Sequence, residues 1–223
     1  MIRARRLIDD VSRYLRDNEE GYEFTHWTEP ELASFLERAV YLVSSVRPSL
    51  FTTRISVPLV AGSVQSIPES CEEFVSVLGQ QEADGSITAI RKTTSKMALG
   101  LKFPICSAST TGDYEVSSWR YDEDDSRTVY VDPPVPTGST GTLVISCYNV
   151  PEIDSAEAIL QLPAHWQPAL FELMLYYGYG VDIESVANRD RSAVHWNNAV
   201  TIMAALGASI TAAKRKTPAQ TGA

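Results

Sequence analysis

Apolar residues recur at three- and four-residue spacing in four stretches of the chain, which predicts four amphipathic helices. Two of these stretches precede the middle of the chain and two follow it. The predicted helices cover residues 4–17, 28–47, 163–177 and 182–206.

The second predicted helix has the clearest boundary signals. Thr28 and Glu31 have the spacing of a capping box, in which each side chain caps the other residue's backbone N–H. Pro48 disfavours helical angles at Arg47, so the helix is expected to end there. In the last helix, Gly207 is the expected end signal.

Between the two helical pairs the apolar pattern changes to a period of two, which predicts about six short strands. Pro58 cannot donate to a strand ladder, so the first of these strands is expected at a sheet edge. Two hairpins are predicted, one around Gly85 and one around the polar run Asp122–Asp125, with Asp132-Pro133-Pro134 closing the second. A last strand at residues 142–149 is expected to turn one face toward a core.

These patterns predict an α+β protein. The helices of residues 1–50 and 160–207 can close into one four-helix bundle, with residues 51–159 as a β-rich insertion, either a sandwich or a curled sheet. The final residues, 208–223, have a small and polar composition that predicts a flexible C-terminal tail.

Composition narrows the function. The 223 residues are 44% hydrophobic and 21% charged, which is typical of a globular domain. No apolar run is long enough to span a membrane, and the first residues lack the pattern of a signal peptide, so cytosolic synthesis is expected. A net charge of −9 argues against gripping nucleic acid through its phosphates, but suits a surface past which DNA slides without sticking.

The sequence contains no recognised motif for catalysis, cofactor binding or metal binding. The acidic run Asp122, Glu123, Asp124 and Asp125 lacks the spacing of a calcium loop and is interpreted as a solvated hairpin tip. Phosphate-binding glycine loops and paired histidines are absent. The three cysteines form no CxxC pair and are expected to be reduced thiols. No cofactor, metal or enzymatic activity is therefore predicted.

One basic cluster, Lys214, Arg215 and Lys216, lies in the predicted tail. It could contact DNA or an acidic protein surface, or it could simply make the terminus more soluble. The sequence pattern leaves these alternatives open.

Several segments, in this order, resemble the head-to-tail adaptor (connector) proteins of tailed phages, most closely the tail-tube adaptors of podoviruses. The resemblance covers residues 4–206. The matching segments include Trp27-Thr28-Glu29-Pro30-Glu31-Leu32, Val43–Ser49, Ala61–Pro68, Thr128–Pro134 and Leu162–Trp166.

The resemblance implies a structural virion protein that forms a ring of twelve copies below the portal. It implies binding to the portal on one side and to a tail tube or nozzle protein on the other. DNA would pass through the lumen during genome retention and ejection, without sequence-specific binding and with no membrane involved. On this reading Lys214–Lys216 contact the portal, and Asp122–Asp125 face the lumen or a tail partner. The subunit-interface candidates are Trp166, Tyr176, Tyr179 and Trp196.

Two alternatives from other functional classes stay open. One is a receptor- or glycan-binding tail module that uses the β-rich segment and exposed aromatic residues such as Trp119. The other is an enzyme whose nucleophile is Cys71, Cys106 or Cys147.

Overall fold

The computed structural model describes residues 1–15, 27–82, 84–93, 114–121, 125–153, 155–181 and 185–216, of which 208–216 are described as helical backbone alone. The fold is mixed α+β, as predicted. The chain divides into two compact units. We call Met1–Leu50 with Pro151–Ala223 the helical unit, and Phe51–Val150 the β unit.

The four predicted helices are present in the helical unit. They are α1 (Ala4–Tyr14), α2 (Glu29–Val46), α3 (Gln167–Gly180) and α4 (Val186–Lys216). Single 3₁₀ turns follow α2 at Pro48–Leu50 and precede α3 at Ala164–Trp166.

Helix α3 is the centre of the helical unit, because it packs against α1, α2 and α4. Leu170, Leu173 and Met174 on α3 have no exposed surface, and neither does Trp166 in the preceding turn. Burying this many large side chains supplies the main favourable free energy of folding for the unit. Closure of all four helices into one bundle stays a prediction.

Both ends of α2 agree with the sequence signals. A Glu31 carboxylate oxygen accepts hydrogen bonds from the Thr28 backbone N–H and from the Thr28 hydroxyl, each at 2.8 Å. At the other end the Arg47 N–H still bonds to the Val43 carbonyl at 2.8 Å, although Arg47 has left helical angles. The helix therefore ends directly before Pro48, as the restriction imposed by proline requires.

The expected end of the last helix at Gly207 is wrong, since α4 continues to Lys216. Gly207 does not form a left-handed cap; it lies where another side chain comes close to the helix backbone. A Cβ added at Gly207 would collide with the guanidinium group of Arg47, which lies against this point of the helix backbone. The remaining residues of the predicted tail, 217–223, lie outside the described part.

The strands, two residues long in the shortest cases, are numbered in chain order. They are β1 (Ile2–Arg3), β2 (Thr52–Pro58), β3 (Gly62–Ser66), β4 (Glu73–Gln81), β5 (Ile87–Thr88), β6 (Arg91–Lys92), β7 (Ser118–Tyr121), β8 (Thr128–Val135), β9 (Thr142–Tyr148) and β10 (Ile159–Leu160). In the helical unit β1 pairs with β10, antiparallel. The sequence pattern gave no signal for this two-residue pairing.

The β unit contains two four-stranded sheets, with strand orders β2-β9-β4-β5 and β3-β8-β7-β6. Strand β2, which contains Pro58, lies at a sheet edge as predicted. Both predicted hairpins form, as β4–β5 and β7–β8. The expected closure at Asp132-Pro133-Pro134 is wrong: β8 continues through both prolines to Val135, which pairs with Gly62 of β3.

One apolar core serves both sheets of the β unit. Leu143 and Ile145 of β9 meet Val131 of β8 and Trp119 of β7 in a single buried cluster. The predicted inward face of the last strand is confirmed, because Leu143, Ile145 and Cys147 all belong to this cluster. Of the two predicted arrangements, the β unit shows curled sheets. The sequence pattern also predicts a helical turn at 93–100 and an irregular loop at 101–112; apart from Thr93, these residues lie outside the described part.

The expectation of three reduced thiols is wrong for two of them. Cys71 and Cys147 form a disulfide across 76 residues of sequence, with their Cα atoms 5.4 Å apart. Both residues are fully buried in the core of the β unit. Sequence separation gave no hint of this pair, because cysteines distant in the chain meet only through the strand order.

Candidate interaction surfaces

The helical unit carries an aromatic cluster where α3 and α4 pack together. Helix α3 is apolar on more than one side, so its last two turns place Tyr176, Tyr177 and Tyr179 beside α4 in half-buried positions. Tyr176 packs against Trp196 of α4, with ring centroids 5.1 Å apart. Tyr179 stacks on His195 at 5.4 Å with nearly parallel rings. Such aromatic contacts add stabilisation beyond the area they bury.

A polar network fixes the register of the same two helices. The His195 imidazole Nδ1 lies 2.8 Å from a Glu172 carboxylate oxygen, and their side chains are only 8% and 19% exposed. The Asn198 amide donates to the same oxygen at 3.2 Å. The Ser192 hydroxyl donates to the Tyr176 carbonyl at 3.0 Å. Ser192 and His195 are buried, whereas Asn198 is exposed, so breaking the network would leave the polar atoms of the two buried side chains without these partners.

Next to this cluster, a groove of about 600 Å³ opens between α2, the end of α3 and the start of α4. Tyr176, Tyr177 and Trp196 form its aromatic wall, while Arg38 and Arg189 supply two cations. Both arginines are exposed. We call this the cationic groove.

The cationic groove also affects the ionisation of its tyrosine. Burial raises the pKa of the Tyr177 hydroxyl, and Tyr176 raises it further. The Arg38 guanidinium acts in the opposite direction, because a nearby cation favours the phenolate. The hydroxyl is therefore protonated at neutral pH and can donate a hydrogen bond to a ligand.

Another groove, of about 660 Å³, lies between α1 and α3. Its charged lining residues, Asp10 and Arg13, have opposite signs and lie 3.9 Å apart on the same helix. It therefore has little preference for a partner of either charge.

The four interface candidates have different exposures. Trp166 is fully buried, so we do not propose it as a subunit contact. Tyr176 and Tyr179 are half-buried, and Trp196 is 37% exposed. The expectation that Trp119 is exposed is wrong: it is 3% exposed in the core of the β unit, where Phe74 packs on it. It therefore offers no platform for a sugar.

Most of the charged residues that were predicted to make contacts lie outside the described residues or are described as backbone alone. Asp122, Glu123 and Asp124 lie outside the described residues. Asp125 is exposed before β8, where its carboxylate accepts a hydrogen bond from the Arg127 N–H at 3.3 Å. Lys214, Arg215 and Lys216 end α4, and only their helical backbone is described.

Among the described residues, no cluster of histidine, cysteine, aspartate or glutamate side chains is arranged to hold a metal ion. In the same part of the chain, no helix is both long and apolar enough to cross a membrane.

Sequence reasoning missed Arg38 and Arg189. The sequence shows each arginine within a predicted helix, since Arg38 lies beside the buried face of α2 and Arg189 lies one turn into α4. Their meeting depends on how α2 and α4 pack around α3, and the spacing within each helix does not specify that packing.

A family model described as SU10 adaptor protein matches residues 2–222, which is nearly the whole chain. The chain belongs to the SU10 adaptor protein family. No curated protein matches it. Family membership confirms the resemblance to phage adaptors seen in the sequence. SU10 adaptors are structural and not enzymatic, so the chain has a structural role as a phage head–tail adaptor. It follows that the protein resides in the virion and interacts with portal and tail proteins.

Proposed function

We propose that this SU10 adaptor protein forms a ring, of twelve copies, that binds the portal and joins it to the tail tube or nozzle. It is of the podovirus tail-tube-adaptor type, and the viral DNA passes through its lumen during genome retention and ejection. The observation that carries the proposal is the family match over residues 2–222.

The charge of the chain supports a DNA conduit. Each copy carries 28 acidic and 19 basic residues, which gives a net charge of −9. The negative charge of a ring therefore increases with the number of its copies. Like charges repel the phosphate backbone, and DNA can then slide without being held. We propose that Asp122–Asp125, between β7 and β8, face this lumen or a tail partner.

The portal contact is proposed at the end of α4. A helix of 31 residues is about 46 Å long, so it can carry Lys214, Arg215 and Lys216 well away from the α3–α4 aromatic cluster. Cations at a helix C-terminus are also favoured by the helix dipole. An acidic surface of the portal would match them.

Native mass spectrometry tests this function, using the purified chain alone and mixed with the portal protein of the same phage. We expect many copies bound per portal ring. The triple substitution Lys214→Glu, Arg215→Glu, Lys216→Glu should abolish the complex, whereas Arg3→Glu, at an exposed arginine of the helical unit, should not. A chain that remains monomeric in the presence of the portal would refute the adaptor ring.

A further inference from the structure

The charged side chains among the described lining of the cationic groove are both positive. Arg38 and Arg189 line it, and no carboxylate is among its described lining residues. The remaining lining is aromatic or small, with Tyr176, Trp196 and Ala193. A groove of this kind favours an occupant that combines carboxylates with apolar side chains.

An exposed apolar stripe on α4 continues from the groove. Val186, Ala193 and Val200 follow one another at seven-residue spacing, and the two valines are 60% and 42% exposed. Seven-residue spacing keeps small apolar side chains on one side of a helix, which is the pattern that packs against another helix. The groove and stripe therefore fit a helical surface better than an extended peptide.

We propose that the cationic groove of one copy receives an acidic helical surface of the next copy in the ring. This inference rests on the proposed ring and identifies its subunit contact. A second copy suits the groove because each chain carries nine more acidic than basic residues, 28 against 19.

The proposed portal site leaves the groove available to the neighbouring copy. Arg189 and Lys214 are separated by 25 residues of α4, which is about 38 Å of helix. A portal held at the end of α4 therefore does not fill the groove.

The charge of the groove also decides the symmetry of the contact. In a two-fold contact the same patch meets itself, so Arg38 and Arg189 of both copies would face one another. Four clustered cations repel. The groove must instead meet a different patch, and such a head-to-tail contact forms a ring when the rotation between neighbouring copies closes.

Charge reversal tests the contact. In native mass spectrometry with the portal of the same phage, Arg38→Glu with Arg189→Glu should weaken association between copies about tenfold or more. The matched control is Arg191→Glu, because Arg191 is also exposed on α4 but lies over Tyr179, away from the groove. The neutral pair Arg38→Gln with Arg189→Gln should have a smaller effect. Circular dichroism should show all variants folded.

Cross-linking tests the symmetry separately. Ala193→Cys in a Cys106→Ser background places a thiol in the groove, and a two-fold contact would join two such thiols under mild oxidation. We expect no dimer linked through this residue. A linked dimer, or a charge-reversed ring that assembles like the wild type, would overturn the inference and leave the adaptor function standing. If the wild type does not associate on the portal at all, the proposed function fails and the inference fails with it.

Discussion

Reducing the Cys71–Cys147 disulfide should destabilise the β unit strongly. The two cysteines are separated by 76 residues, and breaking the bond restores the freedom of a loop of that size to the unfolded chain. The loop-entropy relation gives about 15 cal/mol/K, or about 4.5 kcal/mol at 25 °C. A typical domain has only about 5–15 kcal/mol of stability, so the loss is a large fraction of the total.

The assay is guanidinium unfolding of the wild-type protein with and without a reductant, followed by tryptophan fluorescence. Reduction leaves both thiols in the core, so no cavity contributes to the difference. We expect the free energy of unfolding to fall by about 3–5 kcal/mol. Cys106→Ser should show the same reductant effect as the wild type. A difference below about 1 kcal/mol would refute the reasoning, because the loop would then contribute almost nothing.

Three further predictions concern single side chains. Trp166→Ala should cost about 3–5 kcal/mol in thermal unfolding, since it empties a fully buried site; a loss below about 1 kcal/mol would contradict this. Glu172→Ala should cost about 1–3 kcal/mol in chemical denaturation, because it leaves Nδ1 of the buried His195 ring without its hydrogen-bond partner; unchanged stability would show that this hydrogen bond is dispensable. Burial raises the pKa of Tyr114 from 10.0 to about 12, so its contribution is complete below pH 10 and is lost as the pH rises toward 12. In Tyr114→Phe, that part of the alkaline loss of stability should disappear from the unfolding curves.

The sequence predicts the elements of this fold better than their assembly. The ends of α2 follow from Thr28, Glu31 and Pro48, because capping and proline restrictions act within a few residues. The edge position of β2 follows from Pro58 for the same local reason.

The features that were missed depend on contacts between distant segments. Helix α4 continues past Gly207, where the Arg47 side chain from the end of α2 lies against the helix backbone. Cys71 meets Cys147 only because β9 lies next to β4 in the sheet. The cationic groove was missed for the same reason, since no window of the sequence contains both Arg38 and Arg189.

The helical unit is built from two separate parts of the chain, which are synthesised before and after the β unit. Its first part, Met1–Leu50, leaves the ribosome before Phe51–Val150, and its second part follows. At about 5–20 residues per second, α1 and α2 wait roughly 6–24 s before the chain of α3 begins to appear. The β unit can fold during this interval. Because the cationic groove needs α2, α3 and α4, it forms only after the chain has been made through Trp196, so the proposed contact between copies is not available while the β unit is being synthesised.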